Sequence, residues 1–328
     1  MYRWLYFLTL LPSFLLAATV ELTHNWTDDP NDQHFLNIVF PQELLDTLQE
    51  NNIHLHTSNL KNVDLASDTV SHVVVWNKPH FVKRKNRGLK IPRKKALLFA
   101  WEPPTVQRKL YSPRYLALFK RIYTWDDDLV DNKRYFKFYY PVLGPMIEDI
   151  RPFEEKKLLT FMFSDKSSKH PKALYAEREK LIQFFEEKPA GEFEFYGRDW
   201  KNKNYKNYKG ASSNKIETLK HYRFVVCYEN MRDIKGYITE KIFEAFAAGT
   251  VPIYWGASNV QDYIPKTCFI DRRDFKDNGE LYTYLKSIDA KTYQSYIDNI
   301  RQFLESDQAQ LFSQKMFQTI FLEAIRFP

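Results

Sequence analysis

The segment Phe224–Gly256, FVVCYENMRDIKGYITEKIFEAFAAGTVPIYWG, constrains the fold of this 328-residue chain more than any other stretch. It opens on an apolar run, Phe224–Cys227, short enough to be a buried strand, and then crosses a polar segment, Glu229–Gly236. A helix is predicted over Ile238–Ala248, stopped by Gly249, and a second apolar run follows at Val251–Trp255. Strand, loop, helix and strand in that order form the repeating unit of a parallel α/β sheet. Ligands of open α/β sheets bind beyond the carboxyl ends of the strands. Glu229, Asn230, Tyr237, Glu240 and Lys241 therefore stand at the mouth of a candidate site.

The rest of the chain repeats this alternation. Strands are predicted at His34–Phe40, Val70–Trp76, Ala96–Trp101 and Arg121–Trp125, with helices over Pro41–Glu50 and Ser112–Phe119. Tyr140–Pro152 holds three prolines and a glycine and reads as a linker. Beyond it come strands at Lys157–Phe163 and Phe193–Tyr196. Helices are expected over Ala173–Glu187 and Lys215–His221, the latter capped by Ser213-Asn214, and helices dominate from Leu281 onward. Two domains are expected, 19–148 and 149–328, facing each other across a cleft with a helical C-terminal tail. Residues 1–18 are set apart. Arg3 precedes the apolar run Trp4–Leu16, and Ala17-Ala18 suit cleavage after Ala18, as in a signal peptide. The same stretch, extended to residues 4–20, would serve as an uncleaved membrane anchor or as a buried helix. Asn25-Trp26-Thr27 fits the N-glycosylation pattern, which matters only in a secretory lumen.

A net charge of +7 suits an anionic partner without choosing among nucleic acid, membrane and nucleotide phosphate. Eight basic residues and no acid occupy Lys83–Lys95, a run that most often forms a solvated loop. No recognition module accompanies it, so nucleic acid is not an expected partner. The two cysteines, Cys227 and Cys268, make no disulfide framework, and Cys227 reads as a small buried hydrophobe. GxxxxGK[ST], GxGxxG and GxSxG are all absent. A bound diphosphate must then be met by side chains and helix starts. Thr239 occupies an N-cap position, with Glu240 and Lys241 in the first turn, where free N–H groups, the dipole and a lysine favour an anion. Asp126-Asp127-Asp128 admits a metal-binding reading or that of a solvated turn. His54 and His56, two apart on a probable strand, do not have zinc spacing.

In order, the chain carries LYAER (Leu174–Arg178), YGRDW (Tyr196–Trp200), SNKIETL (Ser213–Leu219), CYEN (Cys227–Asn230), GYITEKIFEAFAAGTVPIYWGASNV (Gly236–Val260) and CFIDRRDF (Cys268–Phe275). Together these resemble the donor-binding half of the α-1,3-fucosyltransferases, glycosyltransferase family 10. A looser match, ALLFAWEPP at Ala96–Pro104, lies in the first half. The resemblance implies a GT-B fold of two Rossmann-like domains. It implies inverting transfer of L-fucose from GDP-β-L-fucose to an acceptor glycan, commonly at O3 of N-acetylglucosamine. Glu102 would be the general base and Glu240 would stabilise positive charge at the fucose. Arg178 and Lys241 would hold the diphosphate, and Asn230 and Tyr237 would line the donor pocket. Such a site offsets the diphosphate with Arg and Lys, so neither a metal nor another obligatory cofactor is expected beside GDP-fucose. The partners implied are GDP-fucose and an acceptor oligosaccharide or glycoconjugate. A secretory-pathway enzyme of the Golgi type would use residues 4–20 for membrane association, and a bacterial one with that segment uncleaved would sit on the cytoplasmic face. The alternatives are a GT-B enzyme using another nucleotide sugar and a non-catalytic glycan-binding protein of the same fold.

Overall fold

The computed structural model describes residues 18–23, 40–57, 60, 63–78 and 91–326. Among them run strands β1 (Ala18–Thr23), β2 (Ile53–Thr57), β3 (Val70–Trp76), β4 (Ala96–Ala100), β5 (Arg121–Thr124) and β6 (Tyr135–Lys137). These pair in the order β2-β1-β3-β4-β5-β6, parallel throughout. A second parallel sheet follows, ordered β11-β10-β9-β7-β8. Its strands are β7 (Lys157–Met162), β8 (Phe193–Tyr196), β9 (Tyr222–Tyr228), β10 (Val251–Trp255) and β11 (Ile270–Asp271). The helices are α1 (Gln42–Glu50), α2 (Pro113–Leu116), α3 (Tyr175–Glu186), α4 (Lys215–Leu219), α5 (Glu240–Ala247), α6 (Asn278–Ser287), α7 (Ala290–Leu304) and α8 (Gln314–Arg326). Two α/β units on parallel sheets match the GT-B arrangement that the resemblance implies.

The strands that read as continuous apolar runs are those covered on both faces, the usual lot of parallel strands. All five residues of β4, ALLFA, are buried. One face of the first sheet packs Trp76, Phe99 and Tyr123, and the other packs Val73, Val75, Leu98 and Ile122. The second sheet has a single larger core that includes Phe161, Phe224, Ile253 and Phe246.

The short elements depart from expectation. The strand predicted at His34–Phe40 lies outside the described residues except for Phe40, which sits in a bend. Most of the basic run is also outside them, but Lys95 is buried and its Nζ donates to Ala66 O and Ser67 O. The helix at Ser112–Phe119 shrinks to Pro113–Leu116. Ala18, the last residue of the 1–18 leader, and Thr19 and Val20 of the 4–20 anchor belong to β1, which pairs with β2 and β3. Among the described residues no helix is long and apolar enough to cross a membrane.

The end of the chain returns to its beginning. Phe317, Phe321, Ala324 and Ile325 of α8 are buried in the first sheet's core, where the Phe321 ring lies 4.9 Å from that of Phe40 and 6.0 Å from that of Phe99. The tail therefore completes the first unit, and a division at residue 148 would separate α8 from the sheet it covers. Phe321 is fully buried, so Phe321→Ala is expected to cost about 3–5 kcal/mol in urea unfolding. Gly144→Ala, where an added Cβ meets nothing within 4 Å, should stay within about 0.5 kcal/mol of wild type.

Candidate functional site

Strand ends build the site. Trp101 and Glu102 follow β4, Phe163 and Ser164 follow β7, Gly197 and Arg198 follow β8, and Asn230 lies two residues past β9; all line one cleft of about 440 Å³. The N-terminal turn of α5 supplies Glu240 and Lys241, and α3 supplies Arg178. The fold thus brings Glu102, Arg178, Asn230, Tyr237, Glu240 and Lys241 to a single cavity. Five basic side chains (Lys166, Arg178, Arg198, Lys215 and Lys241) and three carboxylates (Glu102, Glu240 and Glu244) share the lining.

Glu229, placed at the mouth of the site by the sequence but given no role there, organises this end. Glu229 is fully buried at the end of β9. It accepts from Thr239 N at 2.8 Å, from Thr239 Oγ1 at 2.8 and 3.0 Å, and from Lys241 Nζ at 3.0 Å. Thr239 does occupy the N-cap position of α5, as the sequence suggests, but its hydroxyl makes no capping bond. Instead its side chain serves Glu229. Lys241 Nζ also reaches Thr239 Oγ1 at 2.8 Å and Glu240 Oε1 at 3.1 Å. Burial works to lower the Lys241 pKa, yet Glu229 and Glu240 outweigh it and hold the ammonium well above its ordinary value.

Glu240 is placed differently. It stands in the cleft with 44% of its side chain exposed. Burial works to raise its pKa, but Lys241 and Lys215 outweigh it and bring the carboxyl down to about 2.

Arg178 is 4% exposed, and its Nη2 donates to Tyr228 O at 2.6 Å and to Asn230 Oδ1 at 3.2 Å. Its guanidinium lies 4.0 Å from the Phe163 ring centroid. Among the described residues its buried Nε has no hydrogen-bond partner, which leaves a donor available to a ligand. Burial pulls its pKa down to about 10, so the positive charge persists at neutral pH.

Across the cleft, the backbone of Glu102 is fixed. Asn77 Oδ1 accepts from Trp101 N and Glu102 N at 2.8 and 2.7 Å, and the Tyr111 hydroxyl donates to Glu102 O at 2.8 Å. The Glu102 carboxylate itself makes no hydrogen bond or ion pair among the described residues. Burial pushes its pKa up, Lys241 opposes this, and Glu240 adds to it. A held, raised carboxyl facing a cationic wall has the character of a proton acceptor. Tyr237 lines the same cleft with its ring 4.5 Å from that of Trp125 in the first unit.

Asp126–Asp128 belong elsewhere. Asp127 accepts from Lys137 Nζ at 2.5 Å, Asn259 Nδ2 at 3.0 Å and Tyr263 Oη at 2.8 and 2.9 Å, so it ties the two units together. Asp128 pairs with Lys235 at 2.8 Å. His56 instead meets the buried Glu21 at 2.9 Å, and no group of three or more metal-ligating residues is assembled among the described residues. Cys227 and Cys268 are buried and free.

The model of the glycosyltransferase family 10 (fucosyltransferase) C-terminal domain matches residues 153–322. An alpha-(1,4)-fucosyltransferase from Arabidopsis thaliana is 44% identical over 80 residues, which are 24% of this chain and 20% of that protein. The alpha-(1,3)-fucosyltransferase FucT of Helicobacter pylori is 45% identical over 74 residues, 22% of this chain and 15% of that one. The matched stretch thus spans a fifth or less of those two relatives. A crystal structure of an alpha1,3-fucosyltransferase with GDP-fucose has the same fold, with a TM-score of 0.60 and 20% identity, over 98% of this chain and 94% of that one.

Glu240 generates a pH test. A carboxyl held below its ordinary 4.5 contributes its stability above that pH and loses it as pH falls toward about 2. Glu240→Gln should therefore show a shallower loss of unfolding free energy than wild type between pH 4.5 and 2. Solvent screening at a half-exposed group keeps the difference small.

Proposed function

The chain belongs to glycosyltransferase family 10, and on that premise we propose that it transfers L-fucose from GDP-β-L-fucose to a hydroxyl of an acceptor glycan with inversion. The observation that carries this reading is the convergence in one cleft of a buried cation pair, Arg178 and Lys241, with the opposed carboxylates Glu240 and Glu102.

The chemistry assigns each group a task. The leaving GDP gathers negative charge on the diphosphate, which Arg178 and Lys241 neutralise. Lys241 already has three partners, of which Glu240 is the most distant at 3.1 Å. A phosphate oxygen can take the place of Glu240 there. The freed carboxylate then faces the positive charge that develops at the anomeric carbon in an oxocarbenium-like transition state. The glycosyl–phosphate bond breaks as the acceptor oxygen attacks from the opposite face, and Glu102 takes the hydroxyl proton. A single displacement needs that base on the far side of the sugar, and Glu102 comes from the other unit. The cleft lining also includes Ser212, Lys215 and Glu244, the last two paired at 2.7 Å. Burial raises the proton affinity of Glu102, and Lys241 and Lys166 oppose that rise.

We take the acceptor to be N-acetylglucosamine fucosylated at O3, giving an α-1,3 linkage. GDP- and UDP-sugars offered with N-acetyllactosamine, its β1,3-galactosyl isomer and chitobiose, with product linkage read by NMR, test the donor, the acceptor and the linkage together. Transfer from GDP-fucose alone is the expected result, and transfer from a UDP-sugar would replace this donor. Glu102→Gln should keep GDP affinity by calorimetry and lose transfer by about 10²–10⁴-fold. Arg178→Ala should weaken GDP binding itself, and unchanged GDP affinity in that variant would remove Arg178 from the diphosphate.

A further inference from the structure

Lys156 is a buried cation that the cleft chemistry does not use. It is 3% exposed, immediately before β7, and no carboxylate pairs with it among the described residues. Its Nζ donates to Gly249 O at 2.6 Å and to Tyr293 Oη at 3.1 Å, and the Tyr293 hydroxyl donates to the same carbonyl at 3.1 Å. An unpaired charge persists inside a protein only where hydrogen bonds hold it. Burial, with repulsion from Arg151, brings its pKa down to about 8, so the proton is retained at neutral pH.

What Lys156 holds is the end of α5. Gly249 has φ +60° and follows the C-cap Ala248. Gly249 N and Thr250 N bond back to Phe246 O and Ala245 O, each at 3.0 Å. Carbonyls at a helix C-terminus carry partial negative charge and favour a cation. The linker between the two units grips the same place. Ile147 N donates to Ala247 O at 2.9 Å, and Ile150 lies so close that a Cβ on Gly249 would meet it at 3.0 Å. At its other end α5 carries Glu240 and Lys241 into the cleft. Eight helical residues span about 12 Å and move as one rod.

We propose that Lys156 is a positioning residue for the donor site. By holding the Gly249 carbonyl it sets where α5 stands along its axis, and hence where Glu240 and Lys241 meet the donor. It also couples that placement to the linker joining the two units. The inference rests on the reading of the cleft as a GDP-sugar site.

Lys156→Met removes the charge and the donor at nearly constant length. Ile150→Ala loosens the same helix end from the linker side, and it carries the test if Lys156→Met does not fold. A Phe321→Leu variant in the first core, which also loses thermal stability, is the control. Calorimetry with GDP and thermal unfolding are measured on each protein. Lys156→Met and Ile150→Ala are expected to weaken GDP binding by about five- to thirtyfold, with the control binding GDP as wild type does. Unchanged GDP affinity in folded Lys156→Met (or in Ile150→Ala if Lys156→Met does not fold), or equal weakening in the control, overturns the role of Lys156 and leaves the nucleotide reading intact. Wild-type protein that does not bind GDP overturns both.

Discussion

Glu229 lies with no exposed surface between the end of β9 and the start of α5, and both of its oxygens are engaged by Thr239 and Lys241. A carboxylate buried this deeply is tolerated only with partners of this number and geometry. Breaking such a pair typically costs about 3–5 kcal/mol because the surviving charge is left unpaired. The consequence is structural as well as electrostatic. Strand end and helix start are stapled together, and the residues between them must bulge away as a loop closed at its base.

That loop does not stay with its own sheet. Met231 and Tyr237 are buried in the core of the first unit, and Tyr237 packs against Trp125 and Tyr140. Gly236, at φ +77°, passes so close that a Cβ would lie 2.3 Å from Trp125 O and 2.7 Å from Asp127 Oδ1. Only glycine fits both the dihedral and the space. Asp127 then bonds Asn259 and Tyr263 of the second unit. One staple and one docked loop thereby fix the second unit's cationic groups against Glu102 of the first. The opposed carboxylates follow from this contact between the units, since neither sheet by itself carries both.

Legibility in the sequence followed a physical pattern. Val70–Trp76, Phe193–Tyr196 and Val251–Trp255 match their strands residue for residue, and Val251–Trp255 is the unbroken apolar run expected of a parallel strand buried on both faces. Asn214 does cap α4, accepting from Glu217 N at 3.1 Å, since capping is a local interaction. β1 was hidden because Ala18–Thr23 abuts an apolar leader-like stretch and has no polar boundary before it. β6, three half-buried residues, and β11, two residues, are too short to show periodicity. The six expected site residues share one cleft, whereas Glu229, placed at its mouth by the sequence, had no role assigned to it. Its importance lies in being buried, and nothing in a linear string of Cys-Tyr-Glu-Asn says which of the polar residues faces inward.

From sequence alone followed the α/β class, the strand–loop–helix–strand unit, the family, and the identity of the groups at the mouth of the site. Each depends on interactions within a few residues, or on a motif whose spacing is itself the information. Tertiary structure decided how those groups are charged and held. Lys241 is not a free cation awaiting an anion; it is already committed to Glu229. The aspartates after β5 join the two units, and the C-terminal helix belongs to the first core. These outcomes turn on which distant side chains come within about 3 Å and on how much water is excluded around them. Both are properties of the packed chain, fixed only when the two sheets close on each other.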